Sequence, residues 1–147
     1  MKRDEAEMWQ GARTMYLVKR LEMQLRSVLE PVVKSVGLTV PQYTALTILE
    51  ARPGTSSAEL ARSTFVSAQA ANQIVEGLHS RGLVRRDPSP DHGKILSLSL
   101  TPAGGALLAS CAAEIGVIEE RMLSALTGPA AREFHHNLRA CIDALAE

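Results

Sequence analysis

Ser67, Gln69, Asn72 and Gln73 place four hydrogen-bonding side chains within two helical turns of each other. A serine in front of a helix accepts a bond from an unpaired backbone N–H and can meet an anionic oxygen beside it. Asparagine and glutamine carry donor and acceptor on one planar amide, the pattern that pairs bidentately with N6 and N7 of adenine. The ordinary fate of such residues is a solvated helix face, so their surroundings decide the reading. Arg85, Arg86 and Lys94 follow. Arginine grips phosphate through a planar fork and lysine acts as a point charge, so these three suit phosphate contact, with one of the two arginines expected to be structural.

Other chemistry is sparse. His135 and His136 are adjacent, and neighbours on a helix diverge by about 100°, too far to chelate one ion from one face. His79 and His92 read as surface residues, the latter able to titrate near neutral pH. Cys111 and Cys141 match neither a zinc pair nor a disulfide scaffold, and both fall on apolar stripes as small buried hydrophobes. No metal or cofactor is expected. There is no nucleophile elbow, HExxH, glycine-rich phosphate loop or acid pair with a partner base, so the chain reads as no enzyme.

The elements that must position the polar cluster are legible from periodicity. Met8, Ala12, Met15, Val18, Leu21, Leu25, Val28 and Val32 recur every three or four positions and draw one stripe down a helix from Asp4 to Val36. Pro31 predicts a kink or an end near Glu30. After Gly37, Thr39 caps a second helix with Pro41 in its first turn and Tyr43, Leu46 and Leu49 inward. Arg52-Pro53-Gly54 ends it. Ser56 and Glu59 form a capping box for a short helix. Ser67 then caps a longer one, with Ala71, Ile74, Val75 and Leu78 inward and Gln69, Asn72, Gln73 and Glu76 outward, and Gly82 stops it. A short helix, a turn and a longer helix with a polar face make a helix-turn-helix.

Beyond Gly82 the period changes. Leu83 to Arg86 and Ile95 to Leu100 read as two strands joined by Asp87-Pro88-Ser89-Pro90-Asp91-His92-Gly93, a β-hairpin with a long tip. Thr101 caps a further helix that carries Leu107, Cys111, Ile115, Ile118 and Met122 to about Leu126, and Gly128-Pro129 breaks it. A last helix bears Phe134, Leu138, Cys141, Ile142 and Leu145 as a stripe. A helix-turn-helix followed by a hairpin is a winged helix, whose exposed helix fits a major groove while the hairpin tip reaches the flanking backbone.

The order of these elements, with Leu38-Thr39-x-x-Gln42, Glu59-Leu60-Ala61, Gly82-Leu83-Val84-x-Arg86, Pro88-x-Pro90 and Leu100-Thr101-x-x-Gly104, resembles the MarR family of bacterial transcriptional regulators. The resemblance covers nearly the whole chain and is most specific from Glu59 to Gly104. It implies a mainly α fold, a winged helix-turn-helix with a two-stranded wing flanked by N- and C-terminal dimerisation helices. Residues 1-147 then make one domain, with 1-36 and 102-147 as dimerisation helices and 38-101 as the lobe. It implies a homodimer that binds double-stranded DNA, an inverted-repeat operator, as a repressor released by a small molecule. The alternative from a different class is a winged-helix protein-interaction module without specific DNA binding.

On that footing the DNA-binding set is Ser67, Gln69, Asn72, Gln73, Arg85, Arg86 and Lys94, and Arg13, Tyr16, Arg20 and Tyr43 are candidates for holding a small aromatic or anionic effector. Trp9, Met15 and Met23 could line the same pocket or belong to the core. Two departures from the family pattern stand out. Phe65 occupies the turn where many members have glycine, which predicts an altered turn with the ring inserted under the lobe. His92-Gly93-Lys94 replaces the common Asp-Arg-Arg wing tip, so Lys94 should touch phosphate more than read the minor groove.

Composition and charge fit this frame. The chain has 147 residues, 46% hydrophobic and only 3% aromatic, which suits packed helices and enough core to fold without staples. Sixteen basic residues balance sixteen acidic ones. From 52 to 94 six bases (Arg52, Arg62, Arg81, Arg85, Arg86, Lys94) face four acids, whereas from 101 to 147 three bases face six acids. Only one face is thus suited to phosphate, and one lobe alone should bind weakly. No unbroken apolar run reaches about 18 residues and the start lacks a signal-like stretch, so a cytoplasmic protein with no membrane partner is expected.

Overall fold

The computed structural model describes residues 10–91 and 93–146. Two compact units divide between Ala112 and Ala113. In the first, helix α1 (Thr14–Ser35) leads to α2 (Val40–Ala51), a two-residue strand β1 (Thr55–Ser56), α3 (Ser57–Thr64) and α4 (Ala68–Ser80). Strands β2 (Val84–Pro88) and β3 (Leu96–Leu100) follow, then α5 (Pro102–Leu123), which runs across the division, and α6 (Gly128–Ala144).

The caps read from sequence are in place. Thr39 and Gln42 form a capping box at α2, Ser56 and Glu59 another at α3, and the Ser67 hydroxyl accepts from the Ala70 N–H at α4. Removing such a cap costs about 1 kcal/mol. Thr127 caps α6 in the same manner. The carboxyl of Glu59 sits below the ordinary glutamate range because the Ser56 backbone N–H and side chain bond to it.

Val33, Leu46, Leu49, Leu60, Leu78 and Leu98 are fully buried and join one core beneath α2, α3, α4 and the sheet. Truncating one of these leucines to alanine typically costs about 2–5 kcal/mol. Val33 explains why the helix end expected near Glu30 does not occur. α1 continues through Pro31 to Ser35, because Pro31 is exposed while the next turn carries Val33 into the core.

The wing differs from expectation by one strand. The sheet has three strands in the order β1-β3-β2, all antiparallel, with Thr55 opposite Leu98 and Arg86 also opposite Leu98 on the other side. Two residues are too short to show alternation, so β1 is invisible to a period-2 reading. It forms because Gly54, with φ +87, turns the chain and donates its N–H to the Leu98 carbonyl.

The turn between α3 and α4 also corrects the sequence reading. Phe65 takes the left-handed conformation (φ 55, ψ 37) that glycine would, and its ring is 96% exposed instead of inserted under the lobe. The backbone N–H groups of Phe65 and Val66 fold back onto Arg62 and Ala61. The next residue, Val66, is half-buried, so the apolar side chain that the turn shelters is Val66 and not Phe65.

α5 carries Leu108 into the core and buries Cys111. Its 22 residues are also long and apolar enough to cross a membrane by length and composition, with mean hydropathy 1.2 over the best 18; the sequence expectation counted unbroken runs and missed this. A core helix of a globular protein passes the same threshold. In the second unit no described residue from 113 to 146 is buried, and Cys141, expected inside, is exposed beside Ile142 (66%) and Leu145 (87%). Along the apolar stripe of α6, Phe134 and Leu138 are half-buried, while Cys141, Ile142 and Leu145 at its C-terminal end are exposed.

Candidate nucleic-acid interface

The exposed face of α4 and the inner face of the wing enclose an open cleft of about 690 Å3. Gln69, Asn72, Gln73 and Glu76 line it from α4, Ser57 from the start of α3, and Arg86 and Leu96 from the strands. Four of the seven residues singled out for DNA contact meet here. Ser67 stands at the head of α4 as its cap, and Lys94 lies exposed at the tip before β3. Arg85 does not line the cleft, because successive residues of a strand face opposite ways and Arg86 takes the side toward α4. His92 lies outside the described residues.

Electrostatics separate the two arginines. The Arg86 Nη2 donates to Glu76 Oε2 at 2.7 Å and ties the wing to α4, with the Arg86 side chain only 28% exposed. Arg85 is paired with Asp87 at 2.9 Å on the outer face of the same strand. Arg86 is thus the structural one of the pair. The Arg86 guanidinium, by hydrogen bond first and charge second, holds the Glu76 carboxyl below its ordinary value.

A depressed carboxyl contributes stability that is present above its unfolded-state value and is lost as pH falls through its folded-state value. Glu76→Gln is therefore expected to lower the urea midpoint at neutral pH and to match the parent protein in acid below the glutamate range. Equal offsets at both pH values would show that the charge pair is not the cause.

Asn72 is less free than its exposed position suggests, since its Oδ1 accepts from the Ser57 Oγ at 2.6 Å. Two further contacts were not legible. Arg81, counted as surface charge, donates from Nη1 to the Gly37 carbonyl at 2.7 Å and from Nη2 to that of Val36 at 3.3 Å, tying the end of α4 to the α1–α2 turn. Arg52 donates to the Ser63 hydroxyl at 2.7 Å. Partners 44 and 11 residues apart leave no local signature; only Gly37, with φ +76, marks the turn that Arg81 meets.

A second groove, of about 540 Å3, runs along α1 and reaches the α3–α4 turn. Val18, Leu21, Leu25 and Leu29 of α1 face Val40 and Pro41 of α2, with Arg26, Thr44, Ser63, Thr64 and Phe65 adding polar groups and one aromatic ring. Arg26 bonds Glu22 at 3.0 and 3.2 Å, and Lys19 reaches the same carboxylate at 3.4 Å. These cations, Arg26 first, depress the Glu22 carboxyl. None of the four effector candidates lines this groove. Arg13 is exposed at the N-cap position of α1 and Tyr16 is exposed in its first turn, Arg20 is half-buried, and Tyr43 packs against the core. Met15 and Met23 are exposed as well, and Trp9 lies outside the described residues. Among the described residues no group of three or more His, Cys, Asp or Glu side chains is placed to hold a metal ion.

Comparison with known proteins agrees with this architecture. Residues 36–95, from the start of the lobe into the wing, match the MarR family model. The HTH-type transcriptional repressors Rv2887 of Mycobacterium tuberculosis and Mb2911 of Mycobacterium bovis are each 37% identical over 123 residues, covering 84% of this chain and 88% of theirs. The structure of Rv2887 with salicylic acid superposes with a TM-score of 0.73 at 36% identity, covering 90% of this chain and 98% of that one. Rv2887 with DNA gives 0.72 at 34%, covering 88% and 98%. Apo MarR from E. coli gives 0.77 at 18% identity, covering 88% and 97%, a likeness of fold. The winged helix, the polar face of α4 and these relatives together establish that the chain belongs to the MarR family of transcriptional regulators.

Proposed function

We propose that this protein is a homodimeric, sequence-specific DNA-binding repressor of the cytoplasm, released from an inverted-repeat operator by a small planar aromatic acid. The meeting of Gln69, Asn72, Gln73 and Arg86 in one cleft carries the reading. It sets amide side chains on the leading half of α4, where a major groove would meet them, beside a wing held in register by the Glu76–Arg86 pair. Ser67 and the first free N–H groups of α4 would face phosphate, with Lys94 doing so from the wing. The exposed Ile142 and Leu145 at the end of the α6 stripe support a second copy as their cover.

The groove along α1 supports the effector half of the proposal. Its apolar walls suit a flat ring, and Arg26 with the Ser63 hydroxyl, which accepts from Arg52 and keeps its own proton to donate, suits a carboxylate. Salicylic and p-aminosalicylic acids are bound in the structures of the relative Rv2887. The groove is walled by α1 on one side and on the other by the turn that feeds α4, so filling it acts on the placement of the reading helix.

Asn72→Ala is expected to weaken binding to the cognate operator about tenfold or more, the size of a lost base contact, with little change on random duplex. Lys94→Ala should weaken both alike and reduce the slope of log K against log salt by roughly 0.9 per subunit. Fluorescence anisotropy across a salt series measures both. Equal losses on the two duplexes for Asn72→Ala would remove it from the reading set, and no binding to operator DNA by the parent protein would favour the interaction-module alternative.

A further inference from the structure

Phe65 combines two costs that nothing among the described residues offsets. A side chain with a Cβ is disfavoured in the left-handed conformation, where φ is 55, and a phenyl ring 96% exposed keeps its whole apolar surface in water. Glycine would remove both. Phe65 is on the lining of the groove along α1, together with Val18, Leu21, Leu25 and Arg26. It is the one aromatic side chain on that groove's described lining.

We infer that Phe65 is a ligand-contacting specificity residue, its ring packing against the face of a planar aromatic carboxylate held in the α1–α2 groove. This rests on the proposed reading of that groove as the effector site and adds how it selects among acids. The aliphatic wall supports one face of a flat molecule. The Phe65 ring covers the other, and aromatic pairs in offset or edge-to-face contact gain beyond the area they bury. The one cation on the groove, Arg26, is paired with Glu22, and because Lys19 also reaches that carboxylate, Glu22 keeps a partner when the ligand's anion takes Arg26. An aliphatic acid of equal size would fill the groove without the ring contact. Phe65 also lies two residues before Ser67, the cap of α4, so a ligand that holds the ring bears directly on the segment that sets the reading helix.

Titration calorimetry with salicylate and with cyclohexanecarboxylate tests this on the full-length protein. Phe65→Gly suits its backbone conformation and is expected to fold, which circular dichroism and thermal melting check, while Phe65→Tyr keeps the ring. The expected result is a loss of about tenfold in salicylate affinity for Phe65→Gly. Phe65→Tyr should stay near the parent value, and cyclohexanecarboxylate should bind parent and Phe65→Gly alike. Leu25→Trp, which fills the groove, should abolish binding of both acids. Salicylate binding undiminished in Phe65→Gly, or equal losses for the two acids, overturns the inference while leaving the groove as the site if Leu25→Trp is inactive. Salicylate binding retained in Leu25→Trp, or absent from the parent protein, overturns the groove reading and the inference with it. A fall in dimer affinity of Phe65→Gly with salicylate affinity unchanged assigns the ring to the partner subunit and also overturns it.

Discussion

Gly104→Ala is expected to cost the lobe about 3 kcal/mol, the upper end of what overpacking a core does, whereas Gly105→Ala one position along should be neutral or slightly stabilising. Both glycines lie in the first turn of α5, so helix propensity favours alanine at each by somewhat under about 1 kcal/mol. Their surroundings decide the outcome. A Cβ at Gly104 would run into the Leu83 carbonyl oxygen, with the Leu100 side chain close behind, while one at Gly105 meets nothing within 4 Å. The Leu83 oxygen cannot step aside, because it accepts from the Thr101 N–H at 3.1 Å, and Leu83 itself donates to Leu78 at 3.0 Å. The Thr101 hydroxyl further locks the junction by donating to the Gly82 carbonyl at 2.6 Å and accepting from the Gly104 N–H at 3.1 Å. Urea unfolding of the two variants measures the contrast. Similar midpoints would show that α5 can shift away from the lobe at no great cost.

Scrambling one half of the operator is expected to lower affinity about 100-fold or more, because the second lobe then loses the effective concentration that tethering provides. The structure strengthens the basis for this. Of the bases in the lobe, Arg85 and Arg86 are each paired to a carboxylate of the chain, and Arg81 is spent on the α1–α2 turn, so the charge left for phosphate by one lobe is small. Two lobes related by a two-fold axis would present their α4 helices to half-sites roughly 34–36 Å apart, one turn of duplex. Anisotropy titrations with intact and half-scrambled duplexes, read beside sedimentation of the protein alone, test this. Undiminished affinity after scrambling, or a stable monomer at micromolar concentration, would remove the dimeric reader.

Features written in local chemistry were legible without coordinates. The Ser56–Glu59 capping box, the Thr39 and Ser67 caps and the inward set Ala71, Val75 and Leu78 follow from spacings of three and four, and each is where it was expected. Features that depend on partners far along the chain were not. β1 exists through its bond to Leu98, the Glu76–Arg86 tie joins a helix to a strand, and the groove is made by residues of α1, α2 and the turn. Phe65 misled for a further reason. A large apolar residue in a turn suggests burial, but the apolar side chain this turn shelters is Val66, and Phe65 is left exposed in its left-handed position.

The bond from Ser57 to Asn72 has a thermodynamic consequence. An exposed asparagine ordinarily samples several rotamers, and fixing such a side chain on binding costs about 0.5–1.5 kcal/mol. Here the amide is oriented before any partner arrives, its Oδ1 engaged by the Ser57 hydroxyl, so much of that ordering loss is absent from association. The same bond sets polarity. With the oxygen turned toward α3, the amide N–H2 is the end presented outward, and the free protein offers a donor at this point of α4. Base edges rich in acceptors, such as the N7 and O6 of guanine, match a donor held in that way.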